Sequence, residues 1–156
     1  MNEEYQSRFL YFDVSHAIQT HDWIIENSGG LAGTKVIGQL ESPLEHIKND
    51  SYYPELEDKL THLAFSINKN HAFHDGNKRS SLALGAYFLE LNDFDYIVHS
   101  FILEMENIAV WVADNVIDKN LLHQLITSIL YDDDYSESLK LELYRAVQLS
   151  ENNKGD

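Results

Sequence analysis

Apolar residues recur at helical spacing through most of this chain. Stripes of helical period run from Asp13 to Glu26, from residue 77 or 78 to Leu91, and through three later segments at 102–116, 121–130 and 139–147. The clearest stripe steps by three and four residues along one face of a helix that ends near Asn70, and it consists of Leu56, Leu60, Leu63, Ala64 and Ile67. The pattern predicts an all-α fold.

Glycine and proline interrupt this pattern in one part of the chain. Four of the seven glycines lie between positions 29 and 38, and both prolines precede residue 60. Between Gly30 and Gln39, Val36 and Ile37 lie among glycines, a composition that indicates a short extended hairpin. A plain glycine-rich surface loop explains the same composition equally well.

Composition and charge favour one soluble domain. The 156 residues are 44% hydrophobic, enough for one core, and we expect a single domain over residues 1–150 with a polar C-terminal tail at 151–156. The net charge of −15 argues against a nucleic-acid partner, because phosphate backbones would be repelled. No apolar run approaches membrane-spanning length, so we expect no membrane partner and a cytoplasmic location.

The nine residues from His71 to Arg79 concentrate groups that bind phosphate. They lie between two predicted helices, so the turn is at a helix N-terminus, where free N–H groups and the helix dipole attract anions. Gly76 lets a phosphate come close to the main chain. Asn77 can donate hydrogen bonds, while Lys78 and Arg79 can neutralise charge on a polyphosphate.

The same segment carries a base and a possible metal ligand. The imidazole of His71 can accept a proton from a hydroxyl at neutral pH, which makes it the candidate general base. Asp75 offers one hard carboxylate, which Mg²⁺ accepts while water and phosphate oxygens fill its other positions. We interpret Phe73 as a core anchor and His74 as a solvent-facing residue. Asp75 and Asn77 could also cap the following helix, a role compatible with nucleotide binding.

Six positions of this segment follow one spacing, His71-x-Phe73-x-Asp75-Gly76-Asn77-x-Arg79, which resembles the signature of the Fic/Doc (Fido) family. Lys78 before Arg79 is similar to the death-on-curing, or Doc, branch. The likeness extends from the Gly29-Gly30-Leu31 turn through Leu40-Glu41-Ser42 and Tyr53-Pro54 to about Tyr96. It implies a compact Fic-fold helical bundle with a small β-hairpin flap beside the active-site loop.

The resemblance implies a role for each matching residue. His71 would deprotonate a hydroxyl of the target protein, and Asp75 would hold Mg²⁺ on the nucleotide. The phosphates of ATP would contact four consecutive residues, Gly76, Asn77, Lys78 and Arg79. The flap would pair its strand edge with an extended part of the target, and its residues here would be Thr34, Lys35, Val36 and Ile37.

Two positions depart from the Fic members that transfer AMP. Those enzymes usually have glycine where this chain has Lys78, and where it has Leu82 they have a second arginine, which grips the γ-phosphate. Doc-type members share both departures and resemble enzymes that bind ATP in the reversed sense and phosphorylate a protein hydroxyl, elongation factor Tu being the known kind of target. The resemblance therefore favours transfer of a phosphoryl group from ATP to a Ser, Thr or Tyr hydroxyl of a translation-factor type of protein.

Doc-like proteins are toxins, and the resemblance implies an antitoxin whose segment would fold as a helix into a groove lined by the terminal helices. Self-inhibiting Fic proteins instead carry a Ser/Thr-x-x-x-Glu-Gly/Asn helix. Ser138 to Glu142 matches its first part, but Leu143 follows and Leu82 removes the partner of the glutamate, so we interpret this match as chance.

Three alternatives remain open. The first is transfer of AMP to a protein hydroxyl, and the second is a Fic fold kept only as a protein-binding module. The third has a different chemistry, because His74-Asp75 loosely resembles the doublet of HD-type metal phosphohydrolases. In that case His46 and either Asp114 or Asp118 would complete a tight metal site.

Overall fold

The computed structural model describes residues 8–154. The predicted all-α fold is confirmed for this part of the chain, which contains seven α-helices and one 3-10 turn at Asp95–Ile97. In chain order the helices are α1 (Val14–Ser28), α2 (Gly38–His46), α3 (Leu56–Lys69), α4 (Asn77–Leu91), α5 (Val98–Ala113), α6 (Lys119–Tyr131) and α7 (Glu137–Lys154).

The centre of the bundle is α3, which contacts α2, α4, α5 and α6. Ten of its fourteen residues are buried, including the whole predicted apolar stripe. The carboxylate of Asp58 stabilises the start of the helix by accepting a hydrogen bond of 3.0 Å from the N–H of Glu55. The helix ends at Lys69 with Asn70 as its cap, which confirms the predicted end. The loop that follows therefore starts from a deeply buried element.

The sequence pattern did not predict α2, because the helix contains Pro43. Proline has no N–H to donate to the preceding turn, so it disfavours a helix interior. Burial outweighs that cost, since Leu40, Leu44 and Ile47 lie on one face and are at most 4% exposed. Their spacing of four and three residues is the signal that the presence of proline obscured.

The predicted β-hairpin flap is absent from the described residues, and this expectation is wrong. Thr34 forms one isolated antiparallel bridge with Phe73, and Ile37 already has helical dihedrals at the start of α2. The N–H groups of Lys35 and Val36 both donate to the carbonyl of Ala72, at 2.7 and 3.0 Å. The segment therefore finds its main-chain partners in the loop between α3 and α4, so it does not fold back on itself.

The chain from Glu137 to Lys154 forms the longest helix, α7, with eighteen residues. Residues 151–154 of the predicted polar tail continue this helix, and residues 155 and 156 lie outside the described part of the chain. The division into a domain and a tail stays a prediction. Over residues 8–154, no helix combines the length and the apolar character that crossing a membrane requires.

Close contact between α4 and α5 depends on Gly85. A Cβ atom at this position would lie 2.9 Å from Cζ and 3.1 Å from Cε1 of Phe101, whose ring is fully buried. Such distances are shorter than van der Waals contact, so only glycine lets the two helices approach this closely. Because α4 begins at the candidate site, this packing also sets where that site lies.

We predict that Gly85→Ala destabilises the protein. Overpacking a core destabilises a protein by about 1–3 kcal/mol. Alanine is also the better helix former, which stabilises the variant by roughly 1 kcal/mol, and we expect the overpacking to outweigh this gain. Gly38→Ala is the matched control, because nothing lies within 4 Å of its Cβ position and its φ is not in the left-handed region. Denaturant unfolding should show a loss of stability only for the first variant. Equal stability of the two variants would contradict the packing argument.

Candidate active site

The loop between α3 and α4 opens onto a cleft of about 270 Å³. Most of the lining residues come from the predicted motif, and together they are Asn68, His71, His74, Asp75, Gly76, Asn77, Lys78, Arg79 and Ala113. The structure thus brings the candidate base, the candidate metal ligand and the candidate anion-binding turn to one cavity. Phe73, as predicted, points away from it and is 1% exposed in the core.

His71 is the first residue beyond the cap of α3, and its backbone has a φ of 52°. This left-handed conformation is uncommon for a residue with a side chain, and it turns the chain sharply at the end of the helix. The side chain is exposed, and its ring has no hydrogen-bond partner among residues 8–154. Both ring nitrogens are therefore accessible to a substrate in the cleft.

Asn77 closes the loop on itself. Its side-chain Nδ2 donates to the carbonyl of Phe73 at 3.0 Å, and its Oδ1 accepts from the N–H of Phe73 at 3.2 Å. The expectation that this side chain donates to a phosphate stays a prediction, because only one of its two Nδ2 hydrogens is used by Phe73. The backbone N–H of Asn77, in the first turn of α4, is a further donor for an anion.

The N-terminus of α4 faces the cleft without a capping side chain. Gly76 is the N-cap residue, with φ 80° and ψ 16°, a left-handed conformation that glycine adopts at no steric cost. First-turn N–H groups that lack an intrahelical partner carry partial positive charge. Lys78 adds an exposed ammonium, which has no hydrogen-bonding or ionic partner in the described chain. This end of the cleft is therefore suited to an anion.

The carboxylate of Asp75 is held by main-chain donors. Its Oδ2 accepts from the N–H of Leu31 at 3.1 Å, and its Oδ1 accepts from the N–H of Gly76 at 2.8 Å. These two hydrogen bonds, and then the nearby charges of Arg79 and Lys78, hold the pKa of Asp75 below its ordinary value of 3.8. The group is consequently ionised at neutral pH and still has lone pairs for a cation.

Arg79 contacts the C-terminus of α1. Its Nη1 donates to Oγ of Ser28 at 2.7 Å and to the carbonyl of Gly29 at 2.8 Å, and its Nη2 lies 3.9 Å from Oδ1 of Asp75. The guanidinium therefore ties α1 to α4 at the edge of the cleft. The motif gave no indication of Ser28 as its partner.

The glycine-rich segment covers one side of the loop. Besides the bonds to Ala72 and Asp75, the N–H of His74 donates to the carbonyl of Gly33 at 3.3 Å. Gly30 comes so close that a Cβ atom there would lie 2.5 Å from Oδ2 of Asp75. The side chains of Lys35, Val36 and Ile37 are exposed, while Thr34 is half-buried.

Sequence reasoning missed His21, which supports the loop from inside the protein. The residue is fully buried on α1, and its Nε2 lies 2.6 Å from the carbonyl oxygen of Asp75. Its ring stacks on that of Phe73, with centroids 3.8 Å apart and planes 4° apart. The helical spacing indicates its burial, because His21 lies on the same face of α1 as Ala17 and Ile24.

The metal site required by the HD-type alternative is not assembled. Nδ1 of His46 lies 3.1 Å from Nε2 of His62, and Asp118 caps α6 by accepting from the N–H of Leu121 at 2.8 Å. Residues 8–154 contain no group of three or more histidine and carboxylate side chains that could hold a metal ion. His74, the first member of the proposed doublet, is exposed, as expected.

Comparison with known families assigns the chain. The model of the Fic/DOC family matches residues 11–89, which are 79 of the 156 residues and include α1 to α3, most of α4 and the whole motif. The chain therefore belongs to the Fic/DOC family, whose members are in general transferases that act on protein side chains. The match does not distinguish the Doc-like branch. No curated protein matches the chain.

We predict that Gly30→Ala disturbs Asp75. The new Cβ would push the carboxylate away from the N–H of Leu31, so the pKa of Asp75 should rise towards 3.8. Gly29→Ala is the matched control, because Gly29 also has a positive φ but nothing lies within 4 Å of its Cβ position. An NMR titration of the Asp75 carboxyl group measures the effect.

The sign of the pH dependence follows from the lowered pKa. The folded-state pKa of Asp75 lies below 3.8, so its hydrogen bonds stabilise the loop above that pH and are lost as the pH falls through the folded-state value. In Gly30→Ala the loss should begin at a higher pH. Identical titration curves for Gly29→Ala and Gly30→Ala would show that contact with Gly30 does not position the carboxylate.

Proposed function

We propose that this protein transfers a phosphoryl group from ATP to a Ser, Thr or Tyr hydroxyl of a target protein, as Doc-like members of the Fic family do. The observation that carries the proposal is one cleft shared by an unpartnered imidazole, an ionised carboxylate and an uncapped helix N-terminus with a free ammonium. A module retained only for binding proteins has no need of these three groups together.

The nucleotide phosphates would lie at the N-terminus of α4. There the first-turn N–H groups and the Lys78 ammonium would neutralise their charge, and Arg79 borders the same space. Asp75 fits a single carboxylate ligand, because its lowered pKa keeps it ionised and its two hydrogen bonds fix its direction. Mg²⁺ bound there would neutralise charge on the transferred phosphoryl group.

His71 would act as the general base. Its ring would accept the proton of the target hydroxyl while that oxygen bonds to the γ-phosphorus, and the bond to the bridging oxygen of ADP breaks. Such a transfer depends mainly on positioning and electrostatic stabilisation, so a rigid loop that holds these groups in place is sufficient for catalysis. The short contacts around residues 72–77 supply that rigidity.

The choice of the γ-phosphate depends on positions 78 and 82. The exposed Lys78 carries a cation where AMP-transferring members usually have glycine, and Leu82 is half-buried and packs against the core. No cation can therefore extend from position 82 to grip a γ-phosphate from the side used in AMP transfer. AMP transfer remains the second candidate, because the family match covers enzymes of both kinds.

A toxin role and an antitoxin partner complete the proposal. The Ser138–Glu142 match offers no internal brake, since Leu143 follows it and Leu82 cannot pair with the Glu142 carboxylate. The terminal helix also exposes apolar side chains, Leu141, Tyr144 and Leu149, to which a helical segment of a partner could bind. Restraint by a separate protein fits these features better than self-inhibition.

We predict that His71→Ala abolishes transfer of label from γ-labelled ATP to a protein in a cell lysate, because it removes the imidazole that would accept the proton of the target hydroxyl. His99→Ala is the control, since His99 is an exposed histidine on α5 that does not line the cleft. Label from the α position would indicate AMP transfer, and label from neither position would indicate a binding module. Undiminished γ transfer by His71→Ala would exclude His71 as the general base.

We also predict that Lys78→Gly combined with Leu82→Arg shifts the label from the γ towards the α position. The double change removes the cation of the first turn and supplies one a helical turn later. Lys78→Gly alone is the control, and it should lose γ transfer without gaining α transfer. Thermal unfolding must show that both variants fold, because Leu82 is half-buried. A folded double variant that retains only γ transfer would contradict this account of specificity.

A further inference from the structure

We propose that His21 is a positioning residue that sets the orientation of Asp75 and of the anion-binding turn after it. The orientation of Asp75 by His21 is inferred from contacts alone, whereas an effect of His21 on catalysis rests on the proposed function. His21 belongs to α1, more than fifty positions before Asp75, and is 0% exposed. It contacts the cleft only through the loop, so its action on a substrate would be indirect.

The hydrogen bond determines the tautomer of His21. The carbonyl oxygen of Asp75 can only accept, so Nε2 of His21, at 2.6 Å, must carry the proton. Nδ1 is buried without a hydrogen-bond partner, and it lies 3.6 Å from Oδ1 of Asp22. The imidazole is thus built into the protein as a donor aimed at one main-chain carbonyl.

Stacking fixes the direction of this donor. The rings of His21 and Phe73 are nearly parallel, at 4°, and Phe73 is anchored in the core. Cδ2 and Nε2 of His21 also lie 3.4 Å from the position that a Cβ atom of Gly76 would occupy, so the ring lies close to the left-handed turn. The ring is therefore held by its full burial and its stacking on Phe73, and it cannot rotate without disturbing that packing.

One planar peptide unit transmits the effect to the cleft. The carbonyl of Asp75 and the N–H of Gly76 belong to the same peptide group, which moves as a rigid plane. His21 holds the carbonyl end, and the N–H end donates to Oδ1 of Asp75 at 2.8 Å. If the carbonyl rotates, the N–H rotates with it, and the carboxylate loses one of the two donors that orient it.

Two substitutions of His21 distinguish a role in positioning the Asp75 carbonyl from a role in core packing alone. His21→Phe retains a ring that can stack on Phe73 but has no donor for the carbonyl, whereas His21→Gln retains an N–H donor at a similar distance from the backbone. His16→Phe is the matched control, because His16 is on the same helix, stacks on Tyr87 at 4.1 Å and does not touch the loop. If His21 only fills space, His21→Phe will behave like the control.

The first measurement is hydrogen exchange of the Gly76 amide, which requires no activity. We expect exchange about tenfold faster in His21→Phe than in the native protein, because local opening becomes about tenfold more frequent when the partly buried carbonyl of Asp75 has no donor. His21→Gln and His16→Phe should stay close to the native rate. Unchanged exchange in a folded His21→Phe variant would overturn the inference.

The second measurement is phosphoryl transfer. His21→Phe should lose about 10- to 100-fold in kcat, the range expected for a misplaced catalytic group, with a smaller change in KM for ATP because the Lys78 ammonium is retained. His21→Gln should recover most of the rate. Native protein without transfer activity would refute the proposed function and leave the exchange result to decide the role of His21.

A third measurement uses the native protein alone, so it decides the matter even if His21→Phe fails to fold. Long-range ¹H–¹⁵N correlation spectra distinguish the two imidazole tautomers of His21. We expect the proton on Nε2, protected from exchange with water. A proton on Nδ1 alone would remove the bond to Asp75 and with it the proposal.

Discussion

The loop between α3 and α4 has no regular secondary structure, so each buried polar group of its main chain must find a partner elsewhere. That requirement shapes this part of the molecule. The carbonyl of Ala72 accepts from the glycine-rich segment, both main-chain groups of Phe73 bond to Asn77, and the carbonyl of Asp75 bonds to His21. Three separate parts of the chain, α1, the glycine-rich segment and the start of α4, therefore hold one short loop in place.

The same constraint accounts for the electrostatics of the cleft. Main-chain donors keep Asp75 ionised, and Asn77 and Arg79 use some of their hydrogen-bond donors within the protein. The ammonium of Lys78 and the first turn of α4, which no side chain caps, add positive charge at the cleft. The protein as a whole carries a net charge of −15, so its surroundings repel a polyphosphate. Any attraction of a polyphosphate must come from charged groups and hydrogen-bond donors in the cleft itself, because salt screens charge–charge interactions over longer distances. The arrangement suits a site whose specificity depends on close fit.

Much of the fold follows from periodicity. The stripe of α3, the helix ends near positions 70 and 77, and the later helices are confirmed because buried faces of long helices leave a repeating pattern in the sequence. The predictions failed where a short segment had no pattern of its own. Burial made Gly38–His46 helical despite Pro43, and the loop between α3 and α4 took the hydrogen bonds that the expected hairpin would have formed within itself.

The sequence by itself determined the chemical inventory of the cleft, since an imidazole, a carboxylate, a glycine and two cations occur within nine consecutive residues. Spacing along the chain is sufficient to predict that these groups lie together, because residues close in sequence within a tight turn are also close in space. Only the tertiary structure decided which groups of the cleft hydrogen-bond to distant parts of the chain. Arg79 donates to Ser28 and Gly29 at the end of α1, and His21 on α1 reaches the carbonyl of Asp75. The packing of α1 against α4 creates these contacts, and no pattern along the chain records which buried side chain will meet which carbonyl.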